Sequence, residues 1–434
     1  MSAMIAAVRD KARGVRNDPM MVNSGLIFLT TTLMAGAGAI FWVVAARLQT
    51  PENVGLAGSL VSASDSIALF AQLGLNITVM QTMPVSRRKA ADATASAFVV
   101  VLAGTCIAVG YCLLLPVTSP RLAQVLSGPW TVALFSVLVG FCALNILTDS
   151  LFLSVDRIRD FLKLNGILLG VGKLSLPFVL GGAGAVGLYS SVAGATLVCG
   201  VASLVMIVRH VGGRPSLRPS AELLGAKRFA GAGYLTYALY VTPQLVLPLL
   251  VINALGAAHA GVFFISTQIV TLQNAINLAV GNSMYAEGER NPHLRREIVR
   301  RGGRTMAVCA AATTVVMLVV APYLLQVFGS HYAQQGALTL RILSFSTLAF
   351  AFNYWSAMQL RLSRNLRAMV LVQLAGTGMV VVLAALGAPH GTEWAAAGWG
   401  VGQLVGGLIG FVVSRTVAPI QVGEPLAHPE QEEA

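Results

Sequence analysis

Five ionisable residues, Asp65, Asp149, Lys173, Arg341 and Arg47, sit within or at the rim of long apolar runs. An ionisable group in a hydrocarbon layer is costly, so each is a candidate for binding, relay or switching. Helices rising about 1.5 Å per residue put Asp65 and Lys173 near mid-depth. The same count puts Asp149, with Asn145, in the inner third of its span, Arg341 about one turn inside the outer end, and Arg47 at the outer surface. In one reading Asp65 and Lys173 neutralise each other while Arg47 and Arg341 snorkel outward. In the other, Lys173, Arg341 and Arg47 are cationic contacts for an anionic headgroup, with Asp65 as counter-charge or protonatable switch. Gln244 joins the candidates because it lies between Pro243 and Pro248, which free backbone carbonyls and favour a kink beside a cavity. Tyr234, Tyr237 and Tyr240 recur at three-residue spacing, as a packing face or as a surface for stacking sugars.

Enzymatic chemistry finds no constellation. The chain has no GxxxxGK[ST] loop for ATP, no grouped Ser/His/Asp, no paired acidic motif and no DxxD, and its six histidines are scattered. The five cysteines lie in apolar runs without CxxC spacing and read as small packing residues. The chain is thus expected to be neither an enzyme nor dependent on a cofactor or metal.

The elements that must position the candidates are membrane-spanning helices. The 434 residues are 56% hydrophobic and 11% charged, with mean hydropathy +0.75. Apolar runs of about twenty residues, each able to cross a ~30 Å hydrocarbon core, recur along the chain. About twelve spans are predicted: 20–46, 54–83, 92–116, 130–154, 160–181, 185–208, 229–253, 259–284, 304–325, 338–360, 367–387 and 394–415. The first follows Arg9, Lys11, Arg13 and Arg16 as a signal peptide would, but its apolar run outlasts a signal core and reads as a retained span. Alternating sides carry 25 and 2 of the 29 Lys and Arg residues, the other two lying in spans. That split places both termini in the cytoplasm of an inner-membrane, multi-pass protein. The net charge of +12 then faces anionic lipid rather than nucleic acid.

One hairpin repeats. Residues 45–56 (AARLQTPENVGL) turn between two apolar helices, and residues 253–261 (NALGAAHAG) repeat the turn one residue shorter, so Gly55 aligns with Gly261 at an offset of 206. The second helix carries Asp65, Gln72 and Asn76 in one copy, and Gln268, Gln273, Asn274 and Asn277 in the other. An internal repeat in a membrane chain predicts a transporter of two related halves. The division reads as a basic N-terminal segment 1–19, an N-lobe 20–208, a cytoplasmic linker 209–228, a C-lobe 229–415 and a disordered tail 416–434. Glycines at 398, 402, 406 and 410, and at 166 and 170, mark faces for close helix packing.

Four segments in order resemble the polysaccharide exporters of the multidrug/oligosaccharidyl-lipid/polysaccharide flippase superfamily. AARLQTPENVGL (45–56) is similar to that family's first outer turn. LFAQLGL (69–75) is similar to its Asp-Leu-Gly-Leu segment, with Gln72 where an acid is frequent. APYLLQVFGSHY (321–332) is similar to its Pro-x5-Phe-Gly-x-x-Tyr loop, and LRILS (340–344) follows. The resemblance covers about residues 20–415. It implies an all-α, V-shaped pair of six-helix lobes that flips a polyprenyl-diphosphate-linked oligosaccharide from inner to outer leaflet by alternating access. An H+ or Na+ gradient or the membrane potential would drive it, with membrane lipids and a polysaccharide polymerase or glycosyltransferases as partners. The alternatives are a multidrug or cation exporter of the same fold and a non-transporting scaffold for glycan assembly.

Overall fold

The computed structural model describes residues 19–225, 227–363 and 365–416. The basic segment before Pro19 and the tail after Thr416 lie outside the described residues. Twelve long helical units follow one another: α1 (Pro19–Leu48), α2 (Pro51–Phe70, continued as Leu75–Thr82), α3 (Lys89–Thr118), α4 (Pro129–Ser154), α5 (Ile158–Phe161, Leu162–Leu168 and Leu169–Leu180), α6 (Gly184–Val211), α7 (Lys227–Leu255), α8 (Ala257–Arg290), α9 (Arg295–Phe328), α10 (Ser330–Leu362), α11 (Leu366–Gly387) and α12 (Thr392–Thr416). They agree in order and number with the sequence expectation, although α8 and α9 run well past the predicted spans at the ends carrying basic residues and α10 at the opposite end. Nearly all are long and apolar enough to cross a bilayer. Large apolar side chains such as Phe28, Leu113, Val117 and Val308 point outward, as a lipid-facing surface requires.

The helices form two lobes with one pairing scheme. In the first half α3 packs on α4, α4 on α6, α5 on α6, α1 on α5 and α2 on α4; in the second, α9 packs on α10, α10 on α12, α11 on α12, α7 on α11 and α8 on α10. Each pairing recurs with the helix numbers raised by six, the structural form of the repeat.

The lobes meet along α2 and α8, and the glycines explain how. A Cβ on Gly55 would lie 1.9 Å from the Ala257 carbonyl oxygen and 2.6 Å from the Gly261 nitrogen. A Cβ on Gly261 would lie 2.5 Å from the Pro51 carbonyl oxygen. The aligned glycines thus cross backbone to backbone. Phe264 fills the space left by Gly58 and meets Trp42 of α1 edge-on at 4.5 Å.

One expectation about irregular helices is corrected. α7 runs as one helix through Pro243 and Pro248. A break falls in α2, predicted continuous over 54–83, which bends by 48° between Phe70 and Leu75. Leu73 and Gly74 take positive φ angles of 48° and 77° there, a conformation glycine adopts readily and leucine does not. The Gln72 amide, 1% exposed, holds the break by donating to Ala143 O on α4 at 2.8 Å and to Ala68 O at 3.2 Å. Gln72 therefore anchors backbone at the position where the resembling family often has an acid.

Candidate functional site

Contacts between the lobes concentrate at the end opposite the basic loops. Arg47 of α1 donates to Val327 O and Gln326 O at the end of α9, both at 2.9 Å. Arg121 donates to Ile252 O. Asn253 donates to Thr118 O, and Ser119 Oγ donates to Asn253 Oδ1 at 2.7 Å. With the Gly55–Gly261 crossing, these shut that end.

Toward the basic end the two crossing helices part. On α8 every residue from Ala260 to Ser266 is buried, and Thr271 is the first exposed position after them. On α2 nearly every residue from Val54 to Ser64 is buried, and Asp65 is the first exposed position. Asp65 and Thr271 are aligned at the repeat offset of 206. The surface of a cleft between the lobes thus begins at equivalent depths on both walls, with Asp65 on one and Thr271 on the other. Tyr234 of α7 reaches across by donating to Phe70 O at 2.6 Å.

Behind Asp65 lies a polar column that only tertiary packing assembles. The Lys173 ammonium on α5 lies within Coulombic reach of the Asp65 carboxylate, yet no ion pair within 4.0 Å joins them. Both charges are thus left available to a third group. Lys173 is seven residues short of Leu180, nearer the closed end than the mid-depth expected. Side chains in a helix tilt toward its N-terminus, which for α5 is the basic end, so the long Lys173 side chain descends toward Asp65. Cys142 of α4 lies within Coulombic range of both. The Tyr189 hydroxyl on α6 is 3.3 Å from Ser64 Oγ and 3.4 Å from Phe135 O.

Farther toward the basic end, Asn145 Nδ2 donates to Asn165 Oδ1 at 3.1 Å and the Cys199 thiol contacts the same oxygen at 3.5 Å. Cys199 also lies within Coulombic range of Asp149 and Lys173, which ties the two layers together. Asp149 faces Asn165, but Asp149 Oδ1, Asn145 Oδ1 and Asn165 Nδ2 have no hydrogen-bond partner of normal geometry. Asn165 reaches this position from the π-helical turns Leu162–Leu168, a distortion that re-aims side chains and recurs at functional sites.

The predicted site residues therefore separate. Asp65 and Lys173 come together, with Asp149 one layer below. Arg47 serves the closed end. Arg341 is excluded from the cleft: it shares the exposed face of α10 with Leu338 and Phe345 and donates to Leu318 O at 2.9 Å. That is the snorkelling arrangement of a guanidinium whose stem crosses apolar surface. The side chains of Gln244, Tyr237 and Tyr240 lie outside the described residues. Sequence reasoning missed Asn165, Cys199 and Tyr189. Their only signal was polarity or small size inside an apolar run, which many packing residues share.

Two lobes related by a repeat, joined most tightly at the end opposite the basic loops, with Asp65 and Thr271 exposed on the two facing helices beyond the crossing, make the architecture of a membrane transporter. Residues 44–335, about two-thirds of the chain, match the family described as polysaccharide biosynthesis protein, and the chain belongs to that family. Among solved structures, the inward-facing conformation of a multidrug resistance MATE family transporter of the MOP superfamily is 17% identical. It aligns over 88% of this chain and 93% of that chain with a TM-score of 0.67. An outward-facing conformation, similarly described, is 18% identical over 93% and 96% of the two chains with a TM-score of 0.58. A MOP superfamily transporter from Pyrococcus furiosus, noted for reverse polarity of its binding pocket, is 16% identical over 93% and 96% with a TM-score of 0.57. At such identities the likeness is one of fold. No curated protein matches the sequence.

Proposed function

We propose that this protein is a flippase that moves a polyprenyl-diphosphate-linked oligosaccharide from the inner to the outer leaflet of the cytoplasmic membrane by alternating access. The observation that carries the reading is the pair of unbridged charges, Asp65 and Lys173, beside the point where α2 and α8 first become exposed beyond their crossing, toward the basic end. With the basic loops and both termini in the cytoplasm, that cleft opens to the leaflet where such intermediates are assembled. The higher TM-score against the inward-facing relative supports this orientation.

The Lys173 ammonium is the diphosphate contact. A unit charge about 4 Å from a phosphate oxygen gains roughly 4 kcal/mol at an effective dielectric of about 20, before desolvation is charged against it. Asp65 keeps the ammonium from binding too tightly to release and is displaced or protonated as the cargo enters. The lobes 20–208 and 229–415 rock about the α2–α8 crossing, with the linker 209–228 between them. No ATP motif is present in the sequence, so an H+ or Na+ gradient or the membrane potential supplies the drive. Membrane lipids surround the protein, and a polymerase or glycosyltransferases handle the cargo on either side.

The test is depletion in the native host, followed by extraction of polyprenyl-diphosphate glycans. The expected result is accumulation on the cytoplasmic side that wild type relieves and Lys173→Ala does not. No accumulation, with exopolysaccharide unchanged, rejects the reading. Efflux of an ethidium-type dye under the same conditions would instead favour a multidrug exporter.

A further inference from the structure

In the flippase reading Lys173 and Asp65 receive the diphosphate, and the sugars of the cargo still lack a partner. The second lobe offers no charge for them. Its helices α8 from Ala257 to Ala286, α10 from Ser330 to Leu360 and α12 from Trp394 to Ser414 carry no Lys, Arg, Asp or Glu other than Arg341, which turns toward lipid. They carry three nearly parallel aromatic rings instead. Tyr354 and Phe350 of α10 stand 6.0 Å apart between centroids with planes 6° from parallel, and Trp399 of α12 stands 6.3 Å from Phe350 at 17°. Parallel rings at that spacing are slipped past one another, so part of each face is left uncovered. Two amides flank them. Asn353 is beside Tyr354, Gln403 is one turn from Trp399, and Asn353 Nδ2 donates to Gln403 Oε1 at 2.6 Å, which leaves Asn353 Oδ1 and Gln403 Nε2 available.

Asn353, Tyr354, Trp399 and Gln403 are half-buried, and lipid is not what uncovers them. Arg341 and Phe345, both exposed, precede Phe350 and Tyr354 by nine residues, and the exposed Trp394 and Leu408 of α12 stand nine residues from Gln403 and Trp399. Nine residues make about two and a half helical turns, so on both helices the rings and amides point away from the lipid face. The space they border is internal, and it joins the cleft. Along this face of α10, Leu343 is 2% exposed, Phe350 8% and Tyr354 half-buried, so the face is uncovered progressively toward the basic end. The Tyr354 hydroxyl donates to Asn282 Oδ1 at 2.9 Å. Asn282 is exposed and follows Thr271, the first cleft residue of α8, by eleven residues, about three turns on the same face.

We propose that this wall of the second lobe, built from Phe350, Tyr354, Trp399, Asn353 and Gln403, binds the sugars of the cargo and selects uncharged pyranoses. A pyranose presents an apolar C–H face that lies against an aromatic ring, and a rim of hydroxyls that donate and accept. The slipped rings meet the first demand and the paired amides the second. A uronate or a phosphorylated sugar brings a charge to which this wall gives no counter-charge, and burying a charge unpaired is costly. The cargo thus lies across the cleft, its diphosphate on Lys173 of the first lobe and its first sugars on the rings of the second, so that both lobes hold it as they rock. The cargo is taken from the flippase reading, but sugar binding by this wall is measured apart from transport.

The test uses purified full-length protein in detergent and titration calorimetry with neutral tetrasaccharides of glucose, galactose and mannose, and with tetragalacturonate as the charged comparison. Wild type is expected to bind at least one neutral tetrasaccharide, and to bind tetragalacturonate about tenfold more weakly or not at all. Trp399→Leu should weaken the neutral sugar about tenfold, with Trp399→Phe, which keeps a ring, in between. Trp394→Leu, on the lipid face of the same helix, should bind as wild type does. Tyr354→Leu gives the same test from α10 should Trp399→Leu fail to fold. No binding of any neutral tetrasaccharide overturns the proposal, and so does binding that survives in both Trp399→Leu and Tyr354→Leu. Tighter binding of tetragalacturonate than of every neutral sugar rejects the selection of uncharged rings. Sugar binding that is intact while no glycan accumulates on depletion would count against flipping and not against this wall.

Discussion

Replacing Gly55 by alanine puts a methyl group 1.9 Å from the Ala257 carbonyl oxygen and 2.6 Å from the Gly261 nitrogen. Both are backbone atoms, so no side-chain rotation relieves the overlap, and α8 must retreat by about 1 Å at a cost of about 1–3 kcal/mol. The cost falls on the state in which the lobes touch at this end and is escaped by a state in which they part. The ratio of parted to closed molecules should therefore rise about 5- to 150-fold. Gly261→Ala meets the Pro51 carbonyl at 2.5 Å and should act alike. Gly110→Ala is the control, because nothing lies within 4 Å of its added Cβ. The reporter is Ser119→Cys in a background without the native cysteines. Ser119 is 0% exposed and bonded across the lobes to Asn253, so a membrane-impermeant maleimide reaches it only when this end opens. Fivefold or faster labelling is expected for Gly55→Ala and Gly261→Ala and no change for Gly110→Ala. Equal labelling in all three would refute the claim that the crossing closes this end.

The same labelling should quicken about fivefold in Arg47→Ala, which loses two charge-assisted bonds to Val327 O and Gln326 O, with Arg47→Lys intermediate. Unchanged labelling would show that the contact rides on the closed state without holding it. Asp92, 0% exposed, accepts from Ser86 Oγ at 2.5 Å, Ser220 N at 2.7 Å and Ser220 Oγ at 2.8 Å. Asp92→Ala leaves a buried amide unpaired at about 1–3 kcal/mol, so chymotryptic cleavage after the exposed Leu217 should quicken about tenfold, and an unaltered rate would count against the clamp. Gly74→Ala, at a φ of 77°, should cost about 1 kcal/mol in unfolding measurements; a neutral effect would mean that the break in α2 relaxes freely.

Much of the architecture was legible because the bilayer imposes its own ruler: run lengths predict the helices and basic residues mark the ends. The turn at 45–56 and its echo at 253–261 aligned Gly55 with Gly261, but that the two cross backbone to backbone came only with the structure. What stayed hidden is which faces meet. In a soluble helix the polar face marks water, but here the lipid side and the core side are both apolar. Arg341 could therefore be placed by depth and not by face, and depth alone put it among the cleft candidates. Asn145, Asp149, Asn165 and Cys199 come from three helices, one with a π-helical register change that no spacing rule foretells. The break in α2 was hidden for a related reason: the left-handed pair Leu73–Gly74 leaves the backbone no helical course, but in an apolar run a glycine marks close packing as readily as a break.

The segment between the lobes is sewn to the first of them. Besides the Asp92 clamp on Ser220, Thr94 Oγ1 donates to Ser216 O at 2.8 Å and accepts from Ser216 N at 3.1 Å. All of these partners precede α7 in the chain. As the polypeptide leaves the ribosome, the seam can close once residue 220 has emerged, before most of the second lobe has been made. The two halves are equals in pairing scheme but not in biogenesis. The first is the template, and its finished basic face fixes where the second starts, so a fault near Asp92 would show as misplacement of helices more than a hundred residues downstream.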